Sequence, residues 1–409
     1  MDKKEKLILI SLHYPYGWSE TFLENEIYYL AKKFDNITIL PLFKDDNYRQ
    51  IPKNVDICNV LSEKPKRKKM RLKNFIAFCN LTFLLFFTEF LHTKQKFYFI
   101  KKFRCFLDSI TQNIQKALLF EKVIENEKHN TMYYSYWMND GALILSILKI
   151  RKRINSFIFR VHGYDLFEER REKSYIPFRY INMKYCKNVY AVSKNGKDYL
   201  LAKNIFREKL KLSYLGTYDY GKNPFNKQCR ITIVSCSNII ELKRVDLIPE
   251  ILKQVTIPVK WVHFGSGEYY SKIKEKIEKL NDNIEIELKG HVKNNEIIKF
   301  YKSIPVHLFI HLSQSEGGVP VAIQEAASFG IPILGTDAGG IPEIVNKHTG
   351  ILLENDFKIN KVAKIINKFQ YSKYNSLKFR NGVRLFWEHN FNAENNYEKF
   401  YNKITGNHS

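Results

Sequence analysis

The stretch from Val306 to Glu343, VHLFIHLSQSEGGVPVAIQEAASFGIPILGTDAGGIPE, constrains the fold more than any other. VHLFIHLS (Val306 to Ser313) is an apolar, β-rich run bounded by small polar residues, as a buried strand is. Gly317 and Gly318 follow, then Pro320, whose missing N–H suits the first position of a helix. IPILGT (Ile331 to Thr336) returns as a second buried strand, and DAGG supplies another glycine turn. A helix opening at Pro320 leaves free backbone N–H groups and a positive dipole end facing the loop. Such an end binds phosphate. Glu316 lies in the loop, and Glu325 lies about one and a half turns into the helix, leaning back toward its start. Carboxylates accept hydrogen bonds from sugar hydroxyls; taken singly, each also reads as a turn cap or a solvated helix residue.

The same alternation opens the chain. LILIS (Leu7 to Ser11) reads as a strand, HYPYGWSE (His13 to Glu20) as a loop, and Ser19 as the N-cap of a helix running to about Phe34. ITILPLF (Ile37 to Phe43) closes a βαβ unit. Its loop, with Gly17 and Glu20, falls at the carboxyl edge of a parallel sheet, where ligands bind in open α/β folds; a surface turn is the other reading. YYSYW (Tyr133 to Trp137), a helix to about Lys149 and FIFRVHG (Phe157 to Gly163) continue the pattern. His162 ends that strand ahead of Asp165, a better placed candidate than most lone histidines. NVYAVS (Asn188 to Ser193) and KLSYLG (Lys211 to Gly216) complete a first sheet.

TYDYGKNPFNKQ (Thr217 to Gln228) has the composition of a linker. Beyond it RITIVSCS (Arg230 to Ser237) starts a second set of strands, and NIIELKRVDLIPEIL carries Lys243 and Arg244 at a helix entrance. Cations there can neutralise a diphosphate. Strand VKWVHF (Val259 to Phe264) leads into Gly265 and Gly267, but Tyr270 breaks the G-x-G-x-x-G pattern and argues against a nicotinamide enzyme. IEIELKG and a helix from about Asn294 to Lys302 then reach the central stretch, and helices fill roughly 358 to 404.

With these residues in view, the chain resembles the group 1 glycosyltransferases, retaining nucleotide-sugar enzymes of the GT-B fold active in capsule, lipopolysaccharide and exopolysaccharide biosynthesis. The resemblance implies two Rossmann-like α/β domains facing a central cleft. Residues 1–217 would bind the acceptor, 218–385 the nucleotide sugar, and 386–409 would return as a helix to the first domain. It places Glu316 near the sugar hydroxyls, Glu325 at the nucleotide ribose and His162 on the donor sugar. Lys243, Arg244 and the backbone at Gly318 and Val319 would hold the diphosphate. Eight residues separate the two glutamates where the family has seven, so Gly317 or Gly318 reads as an insertion. Asn238 stands where the family has an arginine, which leaves Arg244 to supply that charge. The loop of Gly17 and Glu20 would face a saccharide or lipid-linked saccharide acceptor. No D-x-D signature occurs, and no metal is expected; leaving-group charge would fall to cations and a helix end.

Composition narrows the partners. At 409 residues the chain suits two domains, and its net charge of +24 implies an acidic partner. Six cysteines without a C-x-x-C pair read as free thiols of a reducing cytosol, and no run reaches the length of a membrane span. Residues 61–130 interrupt the α/β alternation: KPKRKKMRLK (Lys64 to Lys73) has seven cations and no acid, and FIAFCNLTFLLFF (Phe75 to Phe87) follows it. That insert fits docking at the cytoplasmic face of an anionic membrane, and equally a core helix with a solvated flank. A nucleic-acid-binding protein would string its cations along an aromatic groove, and here the densest cluster adjoins an apolar segment. A sugar-nucleotide-binding protein without turnover is the remaining alternative.

Overall fold

The apolar runs pair, strand for strand, in parallel. In the computed structural model, which describes residues 6–17, 19–63, 72–125, 127, 130–226 and 230–406, they form two separate sheets. Met1–Ser213 with Lys399–Ser409 make one unit and Tyr214–Glu398 the other.

The first unit has β1 (Lys6–Ser11), β2 (Asn36–Pro41), β3 (Val55–Ile57), β4 (Thr131–Ser135), β5 (Phe157–Val161), β6 (Asn188–Ala191) and β7 (Leu210–Leu212) in the order β3-β2-β1-β4-β5-β6-β7. Leu7, Leu9, Tyr134, Phe157, Phe159 and Val161 are almost fully buried, as strands covered on both faces must be. The order reverses between β1 and β4, whose ends at Ile10 and Ser135 lie side by side. That reversal opens a crevice at the carboxyl edge. Helix Asp140–Ile150 is buried from Gly141 to Leu148, and Asn139 caps it by accepting from the Gly141 N–H at 3.0 Å.

Under the first sheet lies an ion pair with no exposure on either side chain. Arg160 Nε meets Glu26 Oε2 at 3.0 Å. Tyr134 donates to Glu26 at 2.9 Å, Arg160 donates to the Ser213 carbonyl at 2.8 Å, and Phe400 covers the guanidinium with its ring centre 3.9 Å away.

The second unit repeats the plan with β8 (Ile231–Cys236), β9 (Val259–Phe264), β10 (Ile284–Leu288), β11 (Leu308–His311), β12 (Ile333–Thr336) and β13 (Gly350–Leu353), ordered β10-β9-β8-β11-β12-β13. Its reversal lies between β8 and β11. The first unit thus divides from the second at Ser213, and the returning segment begins at Lys399, not at 386. Packing explains the difference. Trp387 and Phe391 belong to the second core, and Trp387 Nε1 donates to Thr217 Oγ1 at 2.8 Å. Asn223, within the expected linker, donates to the Ile304 carbonyl at 2.7 Å and accepts from the Val306 N–H at 2.9 Å.

The insert folds as three helices, Leu72–His92, Lys96–Lys101 and Phe103–Val123. The basic run as far as residue 71 lies outside the described residues. No helix among the described residues is long and apolar enough to cross a membrane.

Candidate active site

Each sheet reversal gathers polar side chains that the sequence scatters. In the first unit the loop after β1 folds around Glu20, which is buried and left-handed (φ 57°) instead of extending from Ser19 into a helix; the helix spans Thr21–Leu30. The Glu20 carboxylate accepts from the N–H groups of Leu12 (2.9 Å), His13 (2.7 Å) and Tyr14 (2.7 Å), and from Trp137 Nε1 (2.6 Å). Four donors occupy it, so it shapes the loop after β1 and ties it to Trp137 beyond β4. Gly17 holds φ +64°, and its N–H donates to the Asn47 carbonyl at 2.9 Å.

His162 follows β5 and packs against Trp137 (ring centres 4.4 Å), Tyr136 (4.7 Å) and Phe22 (5.6 Å). Asp165 fixes its backbone, accepting from the His162 N–H and the Met138 N–H at 2.6 Å each. Among the described residues neither ring nitrogen of His162 makes a hydrogen bond of good geometry. Burial, then the Arg160 charge, holds the imidazole well below its ordinary range, so it is neutral with one donor and one acceptor unused. A buried polar ring left this way is a place for a hydroxyl.

In the second unit Lys243 and Glu316 form an ion pair. Lys243 closes the 3-10 turn Glu241–Lys243 after β8, and Glu316 stands in the loop after β11. The two loops are joined by the Gln314 N–H donating to the Leu242 carbonyl at 2.8 Å. His311, the last residue of β11, places Nε2 2.8 Å from Glu316 Oε1. Burial opposes ionisation of Glu316, but the His311 hydrogen bond and the Lys243 charge take its carboxyl down to about 2. Burial meanwhile keeps His311 below its usual range, against the pull of Glu316. The site therefore holds a neutral imidazole donor, a carboxylate and an ammonium with donors to spare.

Helix Val321–Ser328 begins one residue later than expected, with Pro320 extended (ψ 131°) as its N-cap. Glu325 is buried in it, accepting from Asn294 Nδ2 at 2.7 Å. Burial pushes its carboxyl up to about 7, with the Asn294 amide pulling the other way. Gly317, Gly318 and Val319 form the loop ahead of this helix, and Gly339 and Gly340 press on that loop backbone to backbone. A Cβ on Gly339 would stand 1.9 Å from the Glu316 carbonyl oxygen, and one on Gly340 2.4 Å from the Gly318 carbonyl carbon.

Arg244 departs from its expected role. Its backbone is left-handed (φ 49°). Its guanidinium donates to the carbonyls of Leu312 (2.6 Å) and Asn355 (2.7 Å) and to Asn355 Oδ1 (2.7 Å). It pins the strand ends together instead of offering a free fork to a diphosphate. Asn238 is exposed in the loop after β8 and does not replace it. Lys243 is left as the cation beside the glycine loop. His311 and Asn294 escaped the sequence reading; His311 is the last residue of its strand and His162 the first beyond its own, and a histidine at a strand end was the available signal.

A protonated Glu325 must ionise to accept hydroxyl hydrogens well, so a diol bound there lowers its pKa. Its folded pKa is raised, so the stability it contributes is present below about 4.5 and is lost as pH rises toward 7. The nucleotide affinity that the resemblance implies at Glu325 runs the opposite way: it should rise with pH, by at most about tenfold per unit, and level off above about 7. Calorimetric titrations of nucleotide from pH 5.5 to 8 check this, and Glu325→Gln should flatten the profile.

Comparison with known proteins follows the same division. Residues 221–382 match the family model described as Glycosyl transferases group 1. A phosphatidylinositol N-acetylglucosaminyltransferase component from Homo sapiens is 28% identical over 143 residues, 34% of this chain and 29% of its own. The putative colanic acid biosynthesis glycosyltransferase WcaL of Escherichia coli K12 is 27% identical over 161 residues, 37% of this chain and 40% of its own. The matches thus span about a third of these relatives' lengths. Anabaena HepE, solved in complex with UDP, superimposes with a TM-score of 0.69 at 13% identity, covering 98% of this chain and all of that one. At that identity the likeness shows the fold, two Rossmann-like α/β domains of the GT-B type.

Proposed function

We propose, from the match of residues 221–382 to the model of group 1 glycosyl transferases, that the chain moves a sugar from a nucleotide-sugar donor to a saccharide or lipid-linked saccharide acceptor with retention of anomeric configuration. The observation that carries this reading is the Lys243–Glu316–His311 cluster at the β8/β11 reversal, with Glu325 buried in the following helix. Breaking the sugar–phosphate bond develops negative charge on the departing diphosphate. Lys243 donates to that charge with the N–H bonds Glu316 does not take, and the N–H groups at Gly318 and Val319 add to it. Glu325 accepts from ribose hydroxyls, and His162 from or to a sugar hydroxyl. Glu316, kept ionised, orients Lys243 and the sugar. The acceptor proton passes to a donor phosphate oxygen on the same face, so no protein base is required.

The glycosylated product belongs to cell-surface polysaccharide biosynthesis in the cytoplasm, a reading supported by relatives named for colanic acid and amylovoran. The phosphatidylinositol-named relatives support an acceptor carried on lipid. Divalent metal is not required, because Lys243 and the loop N–H groups provide the charge that an ion would.

Release of nucleoside diphosphate across a panel of UDP- and GDP-sugars, with and without lipid-linked saccharides, tests the reading. One donor should be turned over, and chelation by EDTA should leave the rate unchanged. Donor binding without release under any acceptor would leave only the sugar-nucleotide-binding alternative; a rate abolished by EDTA and restored by a divalent ion would overturn the metal-free scheme.

A further inference from the structure

The long helix of the insert has two apolar faces, and only one is covered. Leu81 and Leu85 point into the first core, and Glu89, next on that face, is 3% exposed and accepts from the Phe178 N–H at 2.9 Å and from the Tyr175 hydroxyl. On the other face Ile76, Phe83, Phe87 and Leu91, spaced by seven, four and four residues, are all exposed, Phe83 to 69%. The stripe continues beyond this helix: Phe97 is 84% exposed, Ile100 60% and Phe103 45%. A soluble surface scatters such side chains singly; this one concentrates them.

Charge tells what covers them. Residues 64–104 contain twelve Lys and Arg and one acid, Glu89, which faces inward. Lys94, Lys96, Lys101 and Arg104 are exposed around the stripe. Protein–protein interfaces deplete lysine around their apolar centres. Aromatic residues rimmed by cations, with no outward carboxylate among the described residues of 72–104, instead match an anionic headgroup layer, where rings enter the boundary and cations meet phosphates. We infer that this face, Ile76 to Arg104, seats the protein in the plane of an anionic lipid surface. The helix of 21 residues lies along that surface and does not cross it.

Vesicle sedimentation of the full chain, without donor or acceptor, tests this separately from sugar transfer. Vesicles of phosphatidylcholine alone and of equal parts phosphatidylcholine and phosphatidylglycerol serve as probes. Binding should be confined to the anionic vesicles and fall with salt. Lys94→Gln, Lys96→Gln and Lys101→Gln together should weaken it about a hundredfold, at about fivefold for each cation. Phe83→Ser and Phe97→Ser should each cost about tenfold. All five side chains are exposed, so an unchanged melting curve verifies the fold of each variant. Equal binding to neutral vesicles, or binding unmoved by either set, overturns the inference. A self-association that the serine changes abolish, with no vesicle binding, overturns it too and assigns the face to a second copy.

Discussion

Lys243→Ala is expected to lower kcat by about two to three orders of magnitude while shifting the KM for the donor only several-fold. Charge on the diphosphate is spread over two phosphates in the bound donor and concentrates on the departing oxygen as the bond breaks, so an ammonium matters most at that moment. Its sequence neighbour Arg244 does not stand in for it. Arg244 is committed to the Leu312 and Asn355 carbonyls, and Asn238 is uncharged. The partner of Lys243 sharpens the test. Without the ammonium, Glu316 keeps only the His311 hydrogen bond, and its carboxyl must rise from about 2. Lys243→Ala and Glu316→Gln should therefore be far from additive in kcat. Additive effects, or losses divided equally between kcat and KM, would refute the leaving-group role.

For stability the largest effect should come from the buried ion pair of the first unit. Glu26→Ala removes the carboxylate that faces the fully buried Arg160 charge beneath Phe400, and is expected to cost the first unit about 3–5 kcal/mol. Urea unfolding with hydrogen exchange at β1 and β4 reads the loss in that unit while the second unit's transition stays in place. Glu26→Leu combined with Arg160→Met should recover most of it, because two apolar side chains of similar length need no partner. A loss under about 1 kcal/mol would mean that water reaches Arg160 in the variant.

Which parts of this were readable beforehand depends on how local each cause is. Parallel strands covered on both faces leave continuous apolar runs, and so VKWVHF was bounded correctly at Val259 and Phe264. His162, Lys243, Glu316 and Glu325 stand out in the sequence because strand ends and helix starts have signatures in neighbouring residues. The side-chain partners have none. Arg244 is fixed by Asn355, 111 positions away, and nothing near either residue announces it. The resemblance turns the loop of Glu20 toward an acceptor, and nothing in the neighbouring sequence announces the four internal donors of its carboxylate, three adjacent backbone N–H groups and one distant indole. The insert was undecidable for a different reason: a helix apolar on two faces loses the periodicity that would separate a covered side from an open one.

The close approach of Gly339 and Gly340 to the loop of Glu316 and Gly318 bears on how this sequence can drift. Neither glycine has a side chain to offer a ligand, yet each sets the distance at which the opposing loop must stand. Two segments more than twenty positions apart therefore behave as one inheritable object. A change in the spacing between Glu316 and Glu325 becomes acceptable only if the second turn moves with it, so diversification of this site proceeds by paired alterations and the glycines themselves remain fixed.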